Sequence, residues 1–234
     1  MALDKAKHGN ILVQILKNVF TDSTISSFLG FKGGTAAVLF YGLDRFSVDL
    51  DFDLLNVEKE DYIFEHFKKI LEEYGELKEA QKKRFNLCYV LSYAEKEEGA
   101  QNIKIDINRR QFGSSYEIKS FLGISMQVMV RSDMTAHKFC AAYERVGKTN
   151  RDLFDIHFFL KHNWPINTKI IEDRMKMTYK EFLKKLIKTM DEFDERDVLS
   201  GMGELLNEKQ KAWAKEHLKE DILFLLKLRL KNFL

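Results

Sequence analysis

The chain has 234 residues, 45% of them hydrophobic, enough apolar content for one large core or two small ones. Its 38 basic and 36 acidic residues leave a formal charge of +2, which excludes a wholesale basic nucleic-acid module. The single proline, Pro165, and the lack of any glycine- or serine-rich stretch give no sign of a disordered linker, so a second domain is expected to dock directly on the first.

Taken in chain order, apolar spacing in GNILVQILKNVF predicts a first helix at about 9–20, then a short strand near 28–32 and a helix beginning close to Thr35. A strand follows over about 48–54, and VEKEDYIFEHFKKILEEYG reads as an amphipathic helix ending at Gly75. FNLCYVLSYA, QNIKIDINRR and SMQVMV read as later strands, and helices are expected at roughly 133–146 and 151–161. Adjacent strand pairs imply an α+β fold with a mixed or antiparallel sheet. After Pro165 the character changes: MTYKEFLKKLIKTMDEF, MGELLNEKQKAWAKEHL and DILFLLKLRLKNFL carry helical spacing without a strand, which predicts a helical bundle. The expected domains are therefore 1–165 and 166–234.

The opening MALDKAKHGN lacks an apolar signal core, and the most apolar run, ILFLLKLRL at 222–230, is broken by Lys227 and Arg229. A cytoplasmic protein with no membrane partner is the expectation. Cys88 and Cys140 lack CxxC spacing and sit among apolar residues, the pattern of free buried thiols. With no HExxH, GxSxG or HD pair, zinc hydrolysis and serine acylation have no support, and His137 and His157 read as structural. The basic clusters Lys82-Lys83-Arg84, Arg109-Arg110 and Lys184-Lys185 read as solvated faces.

The carboxylates carry more information. In a strand, Asp49, Asp51 and Asp53 point one way while Val48, Leu50, Phe52 and Leu54 point the other. Carboxylates roughly 6–7 Å apart repel by under about 1 kcal/mol in water but by about 2–3 kcal/mol at an effective dielectric near 20. On an exposed edge strand such a row costs little; in a cleft it calls for a cation. A second strand, 103-IKIDIN-108, offers Asp106 on the face opposite three isoleucines, so three aspartates could surround one or two Mg²⁺ ions. Upstream, Gly33-Gly34 lets backbone approach an anion, and the following helix aims free N–H groups at it; a structural turn is the alternative.

Lys138 has Met134, Thr135, Ala141 and Ala142 as its helical neighbours, none of them charged. It must either snorkel to water over covered core or find an anionic partner, and Arg145 shares its face. Asp155, in an apolar helix, either pairs with Arg151 or lines a site as base or metal contact, whereas Asp152 suits the first turn of that helix.

Together, 33-GGTAAVLFYGLDRFSVDLDF-52, 104-KIDIN-108, 133-DMTAHK-138 and 151-RDLFD-155 resemble the ordered motifs of the AbiEii/AbiGii toxin-type nucleotidyltransferases, within the DNA polymerase β-like superfamily. The resemblance covers about residues 25–160 and makes 1–165 the nucleotidyltransferase domain. It implies that Gly33, Gly34 and Thr35 approach nucleotide phosphates, that Asp49 and Asp51 hold Mg²⁺ with Asp106 as the third carboxylate, and that Arg45 and Ser47 brace that strand or touch phosphate. It further implies that Lys138 contacts the triphosphate and that Arg151, Asp152 and Asp155 supply a base or a structural ion pair. Val48 departs from the family pattern, where an acidic residue is frequent. The implied reaction moves a nucleoside monophosphate from an NTP to a hydroxyl of tRNA or protein, in the toxin half of a bacterial toxin–antitoxin or phage-defence pair with a cognate antitoxin. A non-catalytic binding protein of the same fold and a metal-dependent nuclease are the alternatives.

Overall fold

The computed structural model describes residues 3–93 and 101–231. Helix α1 (Lys5–Thr21) starts where the Asp4 carboxylate accepts from the backbone N–H groups of Ala6 and Lys7, and it buries Leu12, Ile15, Leu16, Val19 and Phe20 at helical spacing. Then come β1 (Leu29–Lys32), α2 (Gly33–Tyr41), β2 (Leu50–Leu54), α3 (Glu60–Glu72), β3 (Glu76–Lys82), β4 (Asn86–Ser92), β5 (Asn102–Asn108), β6 (Tyr116–Phe121) and β7 (Ile124–Met129). Five helices follow: α4 (Arg131–Arg145), α5 (Arg151–Lys161), α6 (Thr168–Met175), α7 (Tyr179–Glu192) and α8 (Glu208–Lys231).

Packing divides the described chain into two compact units. The first holds the residues up to Gln111 together with Tyr116–Met129, and its seven strands form one mixed sheet in the order β3-β4-β5-β2-β1-β7-β6. At its centre β2 is antiparallel to β1 and parallel to β5. Register fixes what each face carries. Phe31 lies opposite Phe52, and Phe52 beside Ile107. These apolar residues, with Leu16, Phe20, Phe67 and Tyr89, make a buried aromatic layer in which Phe31–Phe52 and Phe52–Phe67 ring centroids stand 5.4 and 5.7 Å apart. Burying each such ring stabilises the unit by roughly 2–3 kcal/mol. The other face carries Asp51, Asp53 and Asp106.

The second unit comprises Phe112–Ser115 and the residues from Val130 onward. Within it α4 packs on α5 and α6, α5 on α8, and α7 on α6 and α8. This division differs from the boundary expected at Pro165, because α4 and α5 share a core with later helices: Tyr143 meets Phe182 at 5.6 Å and Phe154 meets Trp213 at 6.4 Å.

Other differences have physical causes. Strands β3 and β6 are poorly legible because both lie at sheet edges with mostly solvated side chains: ELKEAQK has no apolar alternation, and that of YEIKSF stops after Ile118, itself exposed. Helix α6 carries no periodic signal: its eight residues bury only Ile170 and Ile171. The two helices expected over 202–218 and 221–234 form the single helix α8, since no glycine or proline interrupts 208–231; residues 232–234 lie outside the described residues, as does Ala94 at the end of the strand expected over 85–94. Cys88 and Cys140 are free and buried, and burial pushes the Cys140 thiol up to about 12. Among the described residues no helix is long and apolar enough to cross a membrane.

Candidate active site

The sheet register sets the carboxylates in rows. Lys32 is opposite Asp51, Asp51 is beside Asp106, and Asp106 is opposite Cys88; one step along, Asp53 is beside Asn108 and Asn108 opposite Asn86. The expected alternation therefore brings Asp51 and Asp106 onto one face as immediate neighbours on adjacent strands. Asp49 lies just before β2, which begins at Leu50 rather than near residue 48.

The glycine pair is where the fold admits these side chains. Helix α2 begins at Gly33, not at Thr35, and Gly33 has φ +81°, a conformation that side chains disfavour. A methyl group there would stand 2.2 Å from Asp51 Oδ2, so the absence of Cβ is what lets the Asp51 carboxylate sit against the first residue of α2. At Gly34 a methyl would stand 2.6 Å from Arg45 Nη2 and 3.0 Å from Ser47 Oγ, so Arg45 and Ser47 close on the same turn. Thr35 Oγ1 donates to the Asp49 carbonyl at 2.5 Å and lies 2.8 Å from Ser47 Oγ. The buried Arg45 guanidinium also donates to the Phe46 carbonyl at 2.8 Å. Gly33, Gly34, Thr35, Arg45, Ser47, Asp49 and Asp51 thus form one continuous turn-and-strand constellation.

Asp53 differs from its two neighbours. It is buried and accepts from Lys32 Nζ at 2.5 Å, Tyr116 Oη at 2.5 Å and Asn108 Nδ2 at 2.6 Å. Burial alone would raise its pKa, but the Lys32 charge and these hydrogen bonds outweigh it and hold the carboxyl below its ordinary value. Its lone pairs are spent on the scaffold.

Asp106 is engaged on both oxygens. Lys104 Nζ pairs with Oδ2 and Asn86 Nδ2 donates to Oδ1. Burial lowers the Lys104 pKa, yet its bond to Asp106 and the charges of Asp106, Cys88 and Asp49 raise it overall. The Cys88 thiol is pushed up by burial and then by Asp106. Beneath the start of the strand, His8 is fully buried, with Nδ1 2.6 Å from Tyr93 Oη and Nε2 2.9 Å from the Val48 carbonyl.

Asp49, Asp51 and Asp106 offer hard carboxylate oxygens, the donor set a small divalent cation prefers, and the space left by the missing Cβ of Gly33 seats one of them. The residues fit such an ion in kind. Among the described residues, however, no three His, Cys, Asp or Glu side chains are gathered to hold a metal, and Asp106 is bound to Lys104 instead.

In the second unit Lys138 has found its anionic partner within the chain. Its ammonium lies 2.9 Å from Asp152 Oδ1 and 2.6 Å from Asp155 Oδ2, both aspartates being fully buried, and Arg145 Nη2 approaches Asp152 Oδ2 at 2.7 Å. The network brings together Lys138, Arg145, Asp152 and Asp155, and Arg151 opens the helix that carries the two acids. His137 lies 2.9 Å from Ser114 Oγ, and His157 packs on Trp213 with ring centroids 4.7 Å apart.

Sequence reasoning did not single out Lys32, His8, Asn86, Lys104 or Tyr116. Lys104 had a signal, its alternation with Asp106 on one strand face; the others are set by pairing across the sheet or by α1.

The family model for nucleotidyl transferase AbiEii toxins of type IV toxin–antitoxin systems matches residues 14–224. Among solved structures, a candidate nucleotidyltransferase from H. pylori is 21% identical over 100% of this chain and 99% of its own, with a TM-score of 0.63. JHP933 from Helicobacter pylori is 20% identical over 100% and 98%, with a TM-score of 0.58. MenT4, a nucleotidyltransferase toxin from Mycobacterium tuberculosis, is 17% identical over 92% and 82%, with a TM-score of 0.56. These likenesses carry the fold, and no curated protein matches. With nearly the whole chain matched and the GGT, R-x-S and D-x-D elements drawn into one site, the protein belongs to the AbiEii nucleotidyl transferase toxin family and is a nucleotidyltransferase.

Proposed function

We propose that the protein transfers a nucleoside monophosphate from an NTP to a hydroxyl acceptor on tRNA or protein, releasing pyrophosphate. The observation that carries this reading is the Asp51 carboxylate seated against Gly33 at the N-terminus of α2. A helix start attracts anions. A carboxylate in the same place repels a triphosphate unless a cation lies between them. Asp49 and Asp51, with Asp106, are the residues to hold that cation, proposed to be Mg²⁺, which when bound neutralises phosphate charge and polarises the phosphoryl group.

The remaining roles belong to the chain's own groups. The N–H groups of Gly33, Gly34 and Thr35 bind phosphate oxygens, and Arg45 and Ser47 brace the turn that presents them. Thr35 fixes the Asp49 peptide through its carbonyl. His8 fixes the preceding one at Val48. Asp106 is proposed to share the cation with Asp49 and Asp51. Lys138, Arg145, Asp152 and Asp155 are assigned to the scaffold of the second unit, because two fully buried carboxylates require the cations that contact them.

As a toxin of its family the protein is proposed to act in the cytoplasm, opposed by a cognate antitoxin, and two buried free thiols suit a reducing compartment. The test is product analysis with α-labelled NTPs, Mg²⁺ and separate pools of tRNA and protein. Label joined to one acceptor pool, with pyrophosphate released, supports the reading. Shortening of RNA without NTP would mark a nuclease.

A further inference from the structure

Lys104 is the strongest feature that the reaction above does not use. It stands two residues before Asp106 on β5, so both side chains leave the same face of the strand. Its ammonium pairs with Asp106 Oδ2 while Asn86 takes Oδ1. One lysine is therefore paired with one of the three carboxylates assigned to the cation, the one that is the immediate neighbour of Asp51 across the sheet. The Lys104 side chain is 50% exposed, on a flexible stem, so it can leave without unpacking the core, unlike Lys32, which is 19% exposed and tied to the buried Asp53.

We infer that Lys104 is a tethered counter-cation: it neutralises Asp106 in the metal-free protein, and a divalent cation must displace it before Asp106 can serve the site. This rests on the reading of Asp49, Asp51 and Asp106 as the cation-holding carboxylates. Lys104 acts through Asp106 and is a positioning residue. The arrangement keeps neighbouring carboxylates from repelling one another when no ion is present, and it lowers affinity for a bare ion. Metal arriving together with a triphosphate meets less opposition, because the phosphates offer the released ammonium a new anionic partner.

The test uses Mn²⁺ alone, without nucleotide, titrated into the full chain and followed by the electron paramagnetic resonance signal of the free ion. Lys104→Met should bind Mn²⁺ roughly five- to tenfold more tightly than wild type, a gain limited by the solvent exposure of the pair. Lys104→Arg, which keeps the charge, should remain close to wild type, and in an Asp106→Asn background Lys104→Met should change nothing. Circular dichroism establishes that each variant is folded. Wild type and Lys104→Met binding Mn²⁺ equally, or the variant binding more weakly, would overturn the inference while leaving the site reading intact. No Mn²⁺ bound by either protein would overturn both.

Discussion

The Lys32 ammonium lies 2.5 Å from Asp53 Oδ1, joining the residue before the glycine pair to the last aspartate of β2. Tyr116 and Asn108 complete the cage around that carboxylate, while Asp51, two residues earlier on the same face, sits against Gly33. Strand alternation sets Asp51 and Asp53 on one face, with Asp49 just before the strand, and the sheet gives Asp53 to the scaffold. The division of labour is testable residue by residue.

Asp53→Asn should destabilise the protein by about 3 kcal/mol near neutral pH, because it leaves Lys32 without its buried partner. The folded-state pKa of Asp53 is depressed, so its contribution is complete above the ordinary carboxylate value of 3.8 and is lost as pH falls through the lower folded value. Denaturant unfolding at neutral pH and at pH near 3 should show a smaller acid-induced loss in the variant than in wild type. Asp51→Asn, by contrast, should leave stability nearly unchanged and remove metal-dependent nucleotide binding.

Gly33→Ala should cost about 1–3 kcal/mol, because alanine disfavours φ +81° and its methyl group collides with Asp51 Oδ2. The same collision displaces the carboxylate, so NTP affinity in the presence of Mg²⁺ should fall more than stability alone accounts for. Full nucleotide binding by a folded Gly33→Ala protein would count against the assigned site.

Lys138→Met should destabilise by about 3–5 kcal/mol, since Asp152 and Asp155 are fully buried and lose the ammonium that bridges them. Urea unfolding measures this directly. Unchanged stability with reduced NTP affinity would return Lys138 to the nucleotide.

His8 predicts a milder pH effect closer to neutrality. Burial lowers its pKa more than the Val48 carbonyl and Asp49 raise it. The unfolded chain therefore takes up a proton first, and the stability that depends on neutral His8 is complete above its ordinary value of 6.5 and declines as pH falls from there toward the folded value. The midpoint of denaturant unfolding should drop between pH 7 and 5.5, and His8→Gln should flatten that slope.

Much of this site was legible in the sequence because strand alternation and the GG turn are local. The period of two in SVDLDFDLL and IKIDIN gave the shared face, and the structure supplied the register that makes Asp51 and Asp106 neighbours. Nothing local could show that Asp53 is caged, since its partners stand 21, 55 and 63 residues away. The same limit applied to Lys138: its apolar helical neighbours left a choice between snorkelling to water and an anionic partner, and the Asp152 and Asp155 partners required α4 and α5 to pack together. Edge strands β3 and β6 are poorly legible because most of their side chains are solvated and none is fully buried.

The most direct measurement is calorimetric titration of each NTP, with Mg²⁺, into wild type and into Asp49→Asn/Asp51→Asn. Metal-dependent binding of at least one NTP to wild type, lost in a variant that remains folded, is the expected result. Equal binding by the two proteins, or no binding of any NTP by folded wild type, would contradict the assignment of these aspartates and of the Gly33–Thr35 turn to nucleotide chemistry.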